Sequence, residues 1–226
     1  MRSAPFILPF VASAAAAAVN TGNPTAVEGG LPLPLGEIGW EGVVTPGGPS
    51  VKVWGASFED IEAKIREDYP EFSIYEEEEQ TGPETSPVPE VVTRAALEKR
   101  QRYCDPRFGR VMPHYIDQCI SALRRINGNN CWARARHCIR NQCINGGAVG
   151  MCNDNHHDIN IPCTRVADMA ANIRQNCWEV DTACKAGQGC WGENHTTFGQ
   201  LFDAGGFNVI VGQCGFFGNG QRPVKA

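Results

Sequence analysis

Residues 113–152 run PHYIDQCISALRRINGNNCWARARHCIRNQCINGGAVGMC, and the two halves of this stretch obey different periods. In the first half Ile116, Cys119, Ile120, Leu123 and Ile126 recur at i, i+3, i+4, i+7 and i+10, which is one apolar face of a helix. Pro113 suits the first turn, Arg124 and Arg125 complement the dipole at the far end, and Gly128 stops the helix. In the second half the turn-forming run Asn145-Gly146-Gly147 separates Arg136 to Arg140 from Ala148 to Cys152, which predicts a β-hairpin. A helix leading into a hairpin points to an α+β chain.

Reading downstream, Val166, Met169, Ala170, Ile173 and Cys177 repeat the helical spacing after Pro162, with Thr164 as the expected N-cap. Ala183 to Trp191 and Phe207 to Cys214 read as strands, and Phe207-Asn-Val-Ile-Val211 has the strongest β preference in the chain. Two helices on one face of a small antiparallel sheet make an α+β sandwich, and the cysteines staple it. All 11 fall between residues 104 and 214: Cys104, Cys119, Cys131, Cys138, Cys143, Cys152, Cys163, Cys177, Cys184, Cys190 and Cys214. Such density in a short chain is that of a secreted disulfide scaffold and argues against a cytosolic enzyme. The odd number leaves one cysteine unpaired or joined to another molecule, and spacing does not say which.

Upstream, composition changes. Residues 1–100 carry 16 acidic and 7 basic side chains, net −9, whereas residues 101–226 carry 9 and 13, net +4. Met1-Arg2 followed by an apolar stretch ending in an alanine run reads as a secretory signal peptide over residues 1–18. Residues 19–100 read as an acidic, largely disordered pro-region, because the Gly/Pro-rich run from Asn20 to Ser50 and the Glu/Pro-rich run from Glu76 to Glu90 offer little apolar surface to offset ordering entropy. The exception is Val51 to Tyr75, where a short strand and an amphipathic helix around Phe58, Ile61 and Ile65 are expected. The pro-region ends in Leu97-Glu98-Lys99-Arg100, a dibasic site of the form recognised by kexin-type processing proteases, which leaves a mature cysteine-rich domain over residues 101–226 with Gln101 at its amino terminus. Opposite net charges give the two parts a reason to associate before cleavage; the plainer reading of the acidic part is a solubilising tail. No apolar run reaches the roughly 18 residues of a membrane span.

Chemistry is sparse. The single serine of the mature part, Ser121, lies within the first helix and lacks the exposed turn of a serine nucleophile. Asp154, His156, His157 and Asp158 form a polar cluster with metal-binding residue types but no ligand spacing, and no metal or cofactor is expected. Glu179 or Glu193 with His137 or His195 supplies the residue types of a small secreted ribonuclease or other hydrolase, again without a spacing signal. Trp132, Arg134, Arg136 and Arg140 form a cationic stretch with an aromatic in it. If residues 132–136 are extended, the first three share one face, suited to an anionic or acidic partner. Cys-Trp pairs at 131–132, 177–178 and 190–191 suggest indoles covering disulfides, or an aromatic platform for wall carbohydrate. Asn194-His195-Thr196 is an N-glycosylation sequon.

The order of these motifs is informative as a set. I-D-x-C-I-x-x-L-R-x-I (Ile116 to Ile126) precedes C-x4-C leading into A-x-G-x-C-N-D-N (Cys138 to Asn155). C-T-x-V-A-D-x-A-x-x-I-x-x-x-C (Cys163 to Cys177), a Gly-Gln-Gly strand and F-N-V-I-V-x-x-C (Phe207 to Cys214) follow. The arrangement resembles the small secreted cysteine-rich effector proteins of fungi and is similar in layout to the killer protein four sandwich of smut killer toxins. That resemblance implies a secreted, non-enzymatic protein acting on a host or competitor cell target; for the killer toxin the family implies antifungal action on calcium-channel function. A hydrolase and a cell-wall carbohydrate-binding module are the alternatives.

Overall fold

The computed structural model describes residues 30–76, 101–180 and 195–218. Among the described residues the fold is α+β, with antiparallel sheets, three helices and four disulfides. Strand β1 spans Ile38–Val43, β2 Ser50–Gly55, β3 Arg102–Tyr103, β4 Cys131–Ala133, β5 Cys138–Ile144, β6 Gly147–Asn153 and β7 Ile159–Ile161. Strand β8 spans Trp178–Val180, β9 His195–Thr197, β10 Gly199–Asp203 and β11 Phe207–Gln213. The helices are α1 (Phe58–Arg66), α2 (Pro113–Arg124) and α3 (Cys163–Asn176).

The five-stranded sheet, ordered β3-β10-β11-β6-β5, is built on the anticipated hairpin. Asn145 and Gly146 both adopt positive φ, 51° and 89°, the two-residue turn that matches strand twist. Helices α2 and α3 cover one face, packing on Val149, Met151, Val209 and Val211. Arg174 pairs with Asp117 at 2.7 Å and Arg124 with Asp168 at 3.0 Å across the two helices. The opposite face is covered as well: Cys138, Ala148, Cys152 and Ile210 lie in a second core with Phe108, Phe198, Phe216 and Phe217. Burial on both faces accounts for a β11 that is buried at every position from Phe207 to Gly212, with Val209, Ile210 and Val211 apolar in succession.

Residues 30–76 are folded onto the cysteine-rich part, a departure from the disordered pro-region that composition suggests. In Leu31-Pro-Leu-Pro-Leu35 the three leucines are buried and the prolines exposed, so period-2 alternation lays one apolar face over the second core. The strap also meets the β5 edge, where Cys138 N donates to Pro34 O (2.8 Å) and Gly36 N to Cys138 O (2.7 Å). Strand β1 then joins β2 on one side and β4 on the other, in a four-stranded sheet ordered β2-β1-β4-β7. Trp40 is fully buried, edge-on to Phe72 at 5.3 Å, and its Nε1 donates to Asn127 O at 2.6 Å. The strand and helix expected within Val51 to Tyr75 are β2 and α1. Ser57 caps α1 by accepting from Asp60 N (3.2 Å), and Phe58, Ile61 and Ile65 face the core. Composition misleads here because the apolar residues of this segment are few but all fall on buried faces.

Three local expectations are corrected. Helix α2 ends at Arg124, so Ile126 reaches the core from the turn beyond it. Thr164 is the second residue of α3 and not its N-cap. The cap comes from a distant turn, where Asn129 Oδ1 accepts from Thr164 N (2.9 Å) and Asn129 Nδ2 donates to Thr164 Oγ1 (3.1 Å). The indoles do not simply cover disulfides: Trp178 is 55% exposed, and Trp132 lies half-buried on the outer face of the four-stranded sheet.

The disulfides join Cys104 to Cys177, Cys131 to Cys163, Cys138 to Cys152 and Cys143 to Cys214. Cys119 is the free thiol among the described cysteines. It is fully buried on α2, its Sγ donates to Gly147 O (3.4 Å), and burial pushes its pKa up to about 11. A thiol so placed is closed to an intermolecular disulfide, the role that the odd count left open. Cys184 and Cys190 lie outside the described residues, as do the expected signal peptide, the strand expected over 183–191 and the expected processing site at Leu97, Lys99 and Arg100.

Candidate functional site

The outer face of the four-stranded sheet gathers the cationic and aromatic side chains. Trp54 of β2, Gly39 of β1 and Trp132 of β4 stand opposite one another in register. A Cβ at Gly39 would come within 2.8 Å of Trp132 Cβ and 2.9 Å of Trp54 Cζ3, so only glycine leaves room for both indoles. Lys52 Nζ lies 3.0 Å from the centroid of the Trp132 ring and 5.2 Å from that of Trp54. Arg134 Cζ lies 3.7 Å from the Trp54 ring. Two cations and two indoles thus stack against each other, each cation held partly by ring quadrupoles.

Carboxylates frame this stack. Glu41 stands opposite Lys52, and Asp158 accepts from Arg134 Nη1 (3.2 Å) and from Ala135 N (2.9 Å). Burial beneath the indoles lowers the Lys52 pKa; Glu41 and Asp158 oppose that fall, and Arg134 adds to it. The ammonium is exposed at the sheet surface and open to an anion brought against it.

Of the four residues singled out from sequence, Trp132 and Arg134 meet here through Trp54 and Lys52. Arg136 does not. Strand β4 ends at Ala133, and Arg136 takes φ 57°, which directs its guanidinium to Asp154 O (2.9 Å). Arg140 lies on β5, in the other sheet. Lys52 and Trp54 escaped the sequence reading, although Val51-Lys-Val-Trp54 alternates with the period of a half-exposed strand and carries the signal.

Comparison with family models, curated proteins and solved structures returned no match.

The other candidates are scattered. Glu179 pairs with Arg110, and in the β8–β9 register it stands opposite Thr196, so it projects from the other face of that strand pair than His195. His137 Nδ1 lies 2.8 Å from Ala135 O, and Ser121 is exposed on α2. Asp154 accepts from Asn208 Nδ2 (2.9 Å) while Asp158 serves Arg134; among the described residues no three His, Cys, Asp or Glu side chains converge as metal ligands. Glu193 and Asn194 lie outside the described residues. A cleft of about 280 Å³ is lined by Pro113, Arg174, Gln175, Trp178 and His195, with the Trp178 ring edge-on to His195 at 5.2 Å. Among the described residues no helix is long and apolar enough to cross a membrane.

Proposed function

We propose that the protein is a secreted fungal effector or toxin-like protein, made as a preproprotein and processed by a kexin-type protease, that acts without enzymatic chemistry on a host or competitor cell target. The observation that carries this reading is the stack of Trp54, Trp132, Lys52 and Arg134. Rigid aromatics interleaved with surface cations suit recognition of an acidic patch, with the indoles supplying contact area and the cations supplying selectivity. The disulfide framework supports an extracellular setting, and the motif order supports likeness to the killer-toxin sandwich.

The test is the double variant Lys52→Gln with Arg134→Gln, infiltrated into plant tissue and added to competitor fungi. Biological activity is lost, and the wild-type response weakens as salt rises, since charge contacts at a surface are screened over about 8 Å at physiological ionic strength. The melt shifts little, because each exposed cation–π contact contributes only about 0.5–1 kcal/mol. Full activity of the double variant overturns the assignment.

A second reading, a cell-wall carbohydrate-binding module, is favoured by Trp178, an exposed indole in a polar cleft. It predicts retention on insoluble chitin or glucan that Trp178→Ala abolishes. The hydrolase alternative places its loss of activity at Glu179, Glu193 or a histidine instead.

A further inference from the structure

Processing after Arg100 is ordinarily read as the release of everything before it, but the packing of residues 30–76 opposes release. Ile38, Trp40, Phe58, Ile61 and Ile74 are at most 1% exposed, and they share one core with α2, α3 and the five-stranded sheet. Backbone bonds bind the same segment along its length. Asn127 N donates to Ile74 O (2.8 Å), Glu76 N to Arg125 O (2.7 Å), and β1 is hydrogen-bonded to β4. Side chains add Trp40 Nε1 to Asn127 O (2.6 Å), Glu41 N to Asn130 Oδ1 (2.7 Å) and Gln142 Nε2 to the Tyr75 hydroxyl (3.1 Å). Removing the segment would expose the flank of β4, uncover both cores and orphan these polar groups.

Cleavage after Arg100 breaks none of these contacts. The residue that becomes the new amino terminus, Gln101, is already fixed, since its carbonyl accepts from Phe202 N (3.0 Å) and Arg102–Tyr103 pair with β10. Residues 1–103 contain no cysteine, so no disulfide can hold the first segment. We propose that the processed protein is a non-covalent two-chain molecule in which residues 30–76 remain as a structural chain. Its target-binding face is shared between the chains, Lys52 and Trp54 coming from the first, Trp132 and Arg134 from the second. The two-chain form rests on the processing reading above, and the shared face on the binding reading.

The secreted protein, and the full chain cut in vitro with a kexin-type protease, are run on size exclusion and analysed by native mass spectrometry. In native buffer the two polypeptides travel together in a one-to-one complex; in denaturant without reductant they separate. Elution of residues 101–226 alone in native buffer overturns the two-chain form while leaving processing intact. A chain that stays uncut in both preparations overturns processing and the two-chain form together. The shared face is read from single variants of the processed protein. Lys52→Gln and Arg134→Gln each cut activity at least about tenfold, the loss of one charged contact to the target. Full activity of Lys52→Gln beside an inactive Arg134→Gln removes the first chain from the face and leaves the proposed function standing.

Discussion

Replacing Trp40 by Ala asks whether the acidic segment is part of the fold or an attachment to it. The indole is fully buried, packs edge-on against Phe72 at 5.3 Å and donates from Nε1 to Asn127 O at 2.6 Å. Truncating a buried Trp to Ala costs about 3–5 kcal/mol, and stranding the Asn127 carbonyl adds about 1–3 kcal/mol where water does not reach it. The two overlap, so about 5 kcal/mol is the working figure, a large share of the roughly 5–15 kcal/mol that stabilises a domain. At about 2–4 °C per kcal/mol for a chain of this size, the melting midpoint falls by about 10–20 °C. The assay is thermal unfolding followed by circular dichroism with the disulfides intact. Trp54→Ala is the control, since that indole lies half-buried on the outer face and its loss costs about 1 kcal/mol in cation–π and surface packing. A Trp40→Ala midpoint within about 2 °C of wild type refutes the reasoning, because it would mean that the segment contributes nothing to the cooperative unit.

Reduction lowers the midpoint by more than about 10 °C, as the Cys104–Cys177 and Cys143–Cys214 bridges close loops of 73 and 71 residues and each contributes typically about 2–4 kcal/mol; an unchanged melt in reductant contradicts this. Cys119 resists alkylation until the protein is unfolded. Because burial raises its pKa from 9.0 to about 11, the stability that it lends is complete below pH 9 and declines as pH rises toward 11; a Cys119→Ala variant shows a shallower decline in a melt series over that range, and an equal slope contradicts the assignment. Asn129→Gly keeps the positive φ of 47° but loses the long-range cap on α3, so denaturant unfolding reports a loss of about 0.5–1.5 kcal/mol, whereas a neutral result removes Asn129 from the capping role.

What the sequence disclosed followed from local rules, and what it hid depended on distant partners. The α2 stripe, the Asn145-Gly146 turn and the β11 run were readable because period, turn chemistry and β preference act within a few residues. The cap of α3 was not readable. Thr164 stands where a cap would be sought, but the residue that satisfies its amide, Asn129, lies 35 positions earlier. The part of the acidic segment before Val51 was misjudged on average composition, although Leu31-Pro-Leu-Pro-Leu35 alternates at the strand period. Half of the candidate face was legible for the same reason. Trp132 and Arg134 stood out as a local cluster, whereas Lys52 and Trp54 reach it only through β1, whose pairing with both β2 and β4 no local pattern announces. Arg136 was placed on that face by assuming an extended chain, and its positive φ takes it away.

Hydrogen exchange on the secreted protein after cleavage, read segment by segment, tests most directly whether residues 30–76 and the cysteine-rich part are one folded unit. The amides of β1 from Ile38 to Glu41 lie on a strand paired with β2 throughout and with β4 at Ile38 and Gly39, and they open only with the global transition. The account predicts that they exchange as slowly as those of β11, from Phe207 to Gly212. Exchange of the β1 amides within the dead time, with β11 still protected, would contradict it.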